Sequence, residues 1–272
     1  MSDLKVALQI GAINDFIEKD IDGTFKYLKE IGYDYVELGQ YPEDVEAFKA
    51  MLDKHGLKMI SGHLDIDNLL ADPDKLINYC KTLGIKYFVN GWLDDDRLKG
   101  GPEAEKAVEK LISAGKILKE NGIQLFHHNH AQEFNSYEGK YCLDWLLEEV
   151  SNDLLHPQID TGWVRYSGLD PCEALKRYNG MIEIVHLKDF YADNYSKDEE
   201  FIPFGQPRRD EDAPGFKFTP VGQGVQKFDR IIETIKELGN TEMVVVEQDY
   251  SDDITLLEAA KISRDHLRSL GI

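Results

Sequence analysis

IKYFVNGWLDDDRLKGGPEAEKAVEKLISAGKILKENGIQLFHHNH, residues 85–130, decides the fold. IKYFVN (85–90) is a short apolar run of strand type. Residues 102–121 show helical periodicity, opened by Pro102 and closed by Gly122. IQLFHH (123–128) is a second strand. Proline enters helices well because its missing N–H is not needed in the first turn, and glycine leaves them well because it accepts a left-handed backbone. The unit is therefore strand, helix, strand, which joins parallel neighbours in one sheet.

The same rhythm extends both ways. Upstream, strands fall at 4–10, 33–38 and 57–63, with helices at 22–31, 42–55 and 73–83. Downstream, strands fall at 156–160, 182–187 and 242–248, and helices at 142–150, 171–178, 227–238 and 253–269. Eight units without a second domain predict a single α/β domain over residues 1–272, a closed (β/α)₈ barrel. Residues 189–225 break the rhythm with proline, glycine and charge. A segment of that length is often functional, and it follows the seventh strand on the side where barrel sites lie. It reads as a lid or pocket wall, or equally as a solvated insertion.

Composition narrows the classes. The 272 residues are 42% hydrophobic, enough for a large core. No run approaches the ~20 apolar residues of a membrane span, and MSDLKVALQI has no secretion-signal pattern, so the expectation is a cytoplasmic protein with no membrane partner. Cys80, Cys142 and Cys172 form no CxxC pair, which predicts reduced, mostly buried thiols. A formal charge of −20 repels phosphate backbones, so nucleic acid is not the expected partner.

The strand ends are polar where core strands should be apolar. Strand three ends in Ser61-Gly62-His63, strand five in His127-His128-Asn129-His130 with Glu133 beyond, and strand six in Asp160. Strand seven ends in His186 with Lys188 and Asp189, and strand eight in Glu247 with Gln248 and Asp249. Such ends converge on one mouth of a barrel. Carboxylates brought together need a compensating charge, and histidine with carboxylates but no thiolate suits Mn²⁺, Mg²⁺, Co²⁺ or Zn²⁺. Side chains alternate along a strand, so His128 and His130 share a face while His127 points outside the barrel.

HHNHAQEF (127–134), QIDTGWV (158–164), IVHLKDF (184–190), PVGQGV (220–225) and VVVEQD (244–249) resemble the sugar phosphate isomerase/epimerase superfamily with a xylose-isomerase-like TIM barrel. The likeness is strongest to its branch of inosose dehydratase-like proteins and sugar isomerases with an HNHxxEF signature. It implies one divalent metal held by Glu, Asp, His and Glu from strands five to eight. Carried over, these are Asp160, His186 and Glu247, with His128 or Glu133 from strand five. Glu133 is preferred because it restores three carboxylates and one histidine. Trp163 stands where ketose epimerases carry a substrate-contacting histidine, and it reads as a pocket wall or as core.

The implied chemistry is isomerisation or epimerisation of a small sugar-like ketose or aldose through an enediolate, with dehydration of a keto-inositol or keto-sugar as the alternative. Glu133 and Glu247 are the expected acid/base pair, approaching from opposite sides. Lys188 neutralises an oxyanion or pairs with Asp189. His63, His128, His130, Trp163 and Lys188 are the expected substrate contacts, and Glu37 is expected to be structural. An endonuclease IV-like phosphodiesterase is set aside on charge, and a non-catalytic sugar-binding barrel would show no metal-dependent turnover. A homo-oligomer is expected of such barrels.

Overall fold

Asp44, Asp72 and Asp170 cap helix N-termini with their carboxylates, and Gly56, Gly84 and Gly239 end helices in the left-handed region. Between these stops, a computed structural model of the chain, describing residues 4–198, 200–208 and 213–272, shows the alternation of strands and helices. β1 (Lys5–Gln9) leads through α1 (Asn14–Lys19) and α2 (Ile21–Glu30) to β2 (Tyr35–Leu38), and α3 (Val45–His55) leads to β3 (Lys58–His63). α4 (Ile66–Ala71) and α5 (Pro73–Leu83) precede β4 (Tyr87–Asn90), and α6 (Ala104–Glu120) precedes β5 (Gln124–His128). A hairpin of β6 (Ser136–Tyr137) and β7 (Lys140–Tyr141) is followed by α7 (Cys142–Val150) and β8 (Leu155–Asp160). α8 (Thr161–Tyr166) and α9 (Pro171–Arg177) lead to β9 (Ile184–Leu187). A second hairpin, β10 (Asp189–Tyr191) with β11 (Lys217–Thr219), precedes α10 (Phe228–Leu238), β12 (Met243–Val246) and α11 (Leu256–Ser269).

The barrel closes in the order β1-β12-β9-β8-β5-β4-β3-β2, and every adjacent pair in it is parallel. All eight strands expected from the sequence take part. Ala7, Ile60, Val89, Phe126, Ile184, Met243 and Val245 pack together inside it, and the larger cluster lies between strands and helices. The three cysteines are free and buried. Among the described residues no helix is long and apolar enough to cross a membrane.

Several short elements escaped the sequence pattern, and two features bear on the site. β3 carries one extra residue against β2, because Val36 pairs with Met59 but Leu38 with Gly62. Such a bulge flips the side-chain parity. Ile60 joins the apolar interior below it, while Ser61 and His63 reach polar partners inside the barrel above it. The second feature is order within 189–225, of which residues 199 and 209–212 lie outside the described residues. Asp189, Phe190 and Tyr191 pair antiparallel with Thr219, Phe218 and Lys217. The buried Asp189 carboxylate accepts from the N–H groups of Phe190, Gly222, Gly224 and Gln226. A side chain at Gly224 would collide with the Phe190 carbonyl and the Asp189 carboxylate, so this latch requires glycine there.

Candidate metal centre

Parallel pairing sets the site. His128 sits opposite Gln158 on β5 and β8, and Asp160 sits opposite His186 on β8 and β9. His186 in turn sits opposite Val245, two residues before Glu247. Alternation then turns His128, Asp160, His186 and Glu247 toward one another. One ligand atom from each lies within 4.8 Å of all the others, a grouping that could hold a metal ion.

Asp160 is split between two tasks. Its Oδ1 caps α8, accepting from Gly162 N at 2.7 Å and Trp163 N at 3.0 Å. Its Oδ2 is buried and has no hydrogen-bond partner among the described residues. A buried carboxylate oxygen without a partner is costly, and a bound cation removes that cost. Burial raises the Asp160 carboxyl to about 6 although Lys188 opposes the rise. Asn129 accepts from the backbone N–H of Asp160 at 3.0 Å and so fixes the end of β8.

His186 lies between two carboxylates, with Nδ1 2.9 Å from Glu247 and Nε2 2.6 Å from Glu37. Burial opposes its protonation, but these carboxylates outweigh burial and raise it to about 10. Burial and the neighbouring His186 hold His128 neutral. Its Nε2 lies 3.7 Å from Asp160 and 3.9 Å from Glu247. The Lys188 ammonium is 3.0 Å from Glu247, 3.0 Å from Asp249 and 3.6 Å from Asp160. Burial alone would raise the Glu247 carboxyl, yet Lys188 and His186 keep it ionised. Lys188 therefore pairs with these three acids and not with Asp189, whose carboxylate is spent on the latch.

Glu133 is the main departure from expectation. It is fully buried, but its carboxylate accepts from His130 N at 2.7 Å and meets His127 Nε2 at 3.0 Å. It faces the outward side of β5, outside the four-residue grouping, and His128 stands in the strand-five position. His127, itself bonded to Asn90, is what holds it there. His63 sets Nε2 2.9 Å from Gln158 and forms a second grouping, with His128 and His186, that could hold a metal ion.

The rim is aromatic. His130 packs 4.6 Å from the Trp92 ring and 5.5 Å from Trp163. Burial holds the His130 imidazole down, at about 3. Lys188 lies 5.2 Å from the rings of Trp163 and Phe218, the latter on the β10–β11 hairpin. His130 Nδ1 and Trp163 Nε1 are buried without hydrogen-bond partners among the described residues. Sequence reasoning passed over Gln158. Gln158 shares the inward parity of Asp160, which was the available signal.

A closed parallel barrel with histidine and carboxylates on successive strand ends defines a xylose isomerase-like protein. The chain belongs to the family described as Xylose isomerase-like TIM barrel, which matches residues 25–270. It is 29% identical to inosose dehydratase of Geobacillus kaustophilus over 63% of this chain and 63% of that protein. It is 26% identical to inosose dehydratase of Lacticaseibacillus casei over 90% and 89%. Among solved structures, a sugar phosphate isomerase/epimerase from Parabacteroides distasonis superposes with a TM-score of 0.75 at 20% identity, covering 99% of this chain and 97% of that one.

Proposed function

We propose that this chain is a divalent-metal-dependent lyase that removes water from a small polyhydroxy ketone of keto-inositol or keto-sugar type. His128, Asp160, His186 and Glu247 are the residues that would hold the ion, which when bound supplies Lewis acidity to a substrate carbonyl. The neutral imidazole of His128, the carboxylates and one buried oxygen without a hydrogen-bond partner among the described residues support this donor set. His130 Nδ1 and Trp163 Nε1 are the contacts for substrate hydroxyls, because both are buried polar atoms with unmet hydrogen bonds.

The observation that carries dehydration is the withdrawal of Glu133. Inverting a carbon needs proton exchange on two faces of the substrate. With Glu133 engaged by His127 and His130, Glu247 is left as the carboxylate base on one face. Glu247 takes the proton α to the carbonyl, and Lys188 donates hydrogen bonds to the developing oxyanion. The bond to the β-hydroxyl then breaks, and Glu247 returns its proton to that oxygen, which departs as water. The names of the relatives support the same reading. Isomerisation is the second reading, since a proton shuttled between adjacent carbons also needs only one face.

The test is incubation with a panel of keto-inositols and ketoses, read by mass. Loss of one water, abolished by chelator and restored by Mn²⁺ or Co²⁺, is expected. Solvent deuterium incorporated without mass loss of water assigns isomerisation, and metal-independent turnover overturns the proposal.

A further inference from the structure

Beneath the candidate metal centre lies a buried carboxylate that the proposed reaction does not use. Glu37 is 0% exposed inside the barrel. Its Oε2 accepts from Ser61 Oγ at 2.7 Å and from Gln158 Nε2 at 2.9 Å. Its Oε1 meets His186 Nε2 at 2.6 Å and His63 Nε2 at 3.2 Å. An ionised carboxylate only accepts, and it offers about four lone-pair sites. Glu37 therefore accepts from Ser61, Gln158 and His186, while the single His63 Nε2 hydrogen is shared between Glu37 and Gln158 Oε1.

An acceptor-only carboxylate dictates where protons sit. His186 must carry a hydrogen on Nε2, since Glu37 cannot donate. The Gln158 amide must turn its NH₂ group to Glu37, so its Oε1 faces the imidazoles. That oxygen lies 2.9 Å from His63 Nε2 and 2.9 Å from His128 Nδ1. As an acceptor it requires His128 to carry its hydrogen on Nδ1. The nitrogens left to face the carboxylates are His186 Nδ1, which gives its hydrogen to Glu247 at 2.9 Å in the ion-free protein and would lose it to a bound ion, and His128 Nε2, 3.7 Å from Asp160. Outer partners of this kind orient metal-binding histidines and fix their tautomers.

We propose that Glu37 and Gln158 are positioning residues: through one shared hydrogen-bond network they set the tautomers of His186 and His128, aiming one lone pair of each at the ion. This rests on the metal reading above, but it concerns residues that touch neither ion nor substrate. Ser61 joins the network only because the β3 bulge turns it inward.

The experiment measures ion affinity and tautomers without any sugar. Co²⁺ titration of the wild type and of Glu37→Gln, followed by visible absorption, is expected to show affinity weakened ~10–100-fold in the variant, with Glu37→Asp intermediate. In the Zn²⁺-loaded wild type, ¹⁵N-histidine NMR should find hydrogen on Nε2 of His186 and on Nδ1 of His128. Should Glu37→Gln fail to fold, Gln158→Met removes the acceptor for His128 and gives the same affinity readout. Unchanged affinity in folded variants, or hydrogen on His128 Nε2, overturns the positioning role alone. A wild type that binds no divalent ion overturns the metal reading and this proposal with it.

Discussion

At the floor of the barrel, Glu242 gathers Lys5, Lys86 and Tyr87 around one carboxylate. At the mouth, Lys188 sits among Asp160, Glu247 and Asp249, with Glu37 and His186 just below. Both clusters occupy ends of the same eight strands. On the floor, cations outnumber the carboxylate and rest over tyrosine rings, Lys5 5.5 Å from Tyr35 and Lys86 5.4 Å from Tyr87. At the mouth, acids outnumber the lysine, and Asp160 Oδ2, His130 Nδ1 and Trp163 Nε1 are buried without hydrogen-bond partners among the described residues. Polar groups closed on one another serve the fold, whereas polar groups left unmet in a buried place mark where a ligand is to complete them.

The largest effect should come from Asp160→Asn. Asparagine keeps an oxygen to cap α8 and changes the atom that faces the cluster. Ion affinity should fall by more than the ~100-fold expected of outer partners, and turnover should vanish, while the melting temperature in chelator holds or rises. A variant that still binds the ion like the wild type would dissolve the contrast between the two ends.

Lys188→Met sharpens it from the other side. Removing the ammonium strands carboxylates in a buried site, which costs about 3–5 kcal/mol in the ion-free protein. Ion binding should tighten, because the competing cation is gone, and turnover should drop ~100-fold with the loss of a fixed donor. Thermal unfolding with chelator and with excess Mn²⁺ measures this. Weaker ion binding in the variant would show that Lys188 supports the site instead of competing with the ion.

Most of this fold was legible because the eight strands are short apolar runs closed by glycine, proline or a polar end. Three of the four residues grouped at the mouth were legible too, since Asp160, His186 and Glu247 end consecutive barrel strands, while the strand-five place was given to Glu133 in preference to His128. Glu133 was misplaced for a local reason. Its carboxylate is captured by His127 and by the His130 N–H, and sequence spacing cannot report a capture. Glu37 was underrated and Gln158 unseen because their partners lie far along the chain, 149 positions away for His186 and 121 between the two of them. α8 was left unassigned between the strand at 156–160 and the helix at 171–178, and the Asp160 carboxylate caps it. Tertiary closure supplied the Glu37 and Gln158 contacts, whereas Glu133 and α8 turn on short-range hydrogen bonds.

Asp189 separates the mouth's frame from its chemistry. Asp189→Asn replaces one acceptor oxygen by a donor facing backbone N–H groups, at a cost of about 1–3 kcal/mol. The effect should reach the substrate through the hairpin that carries Phe218, raising KM more than it lowers kcat, with Co²⁺ affinity unchanged. Altered ion affinity would mean that the latch also holds the metal ligands.

The smallest effect belongs to the floor. Partial burial pushes the Glu242 carboxyl up, but Lys5, Tyr87 and Lys86 outweigh it and hold the group at about 2. An acid whose folded value is depressed contributes stability above its unfolded value, near 4.5, and loses it as pH falls from there through about 2. Because the Lys86 side chain is 47% exposed, screening reduces the contribution to about 1–2 kcal/mol. Glu242→Gln should therefore lower stability by that amount at neutral pH and flatten the acid limb of the stability curve, as urea unfolding between pH 2 and 7 would show. Turnover and ion affinity should stay at wild-type values, since no floor residue reaches the mouth across the apolar layer of Ala7, Val89, Phe126 and Val245. A floor variant that lost ion affinity would mean that this layer transmits strain between the two clusters, and closed and open charge could no longer be treated as separate designs.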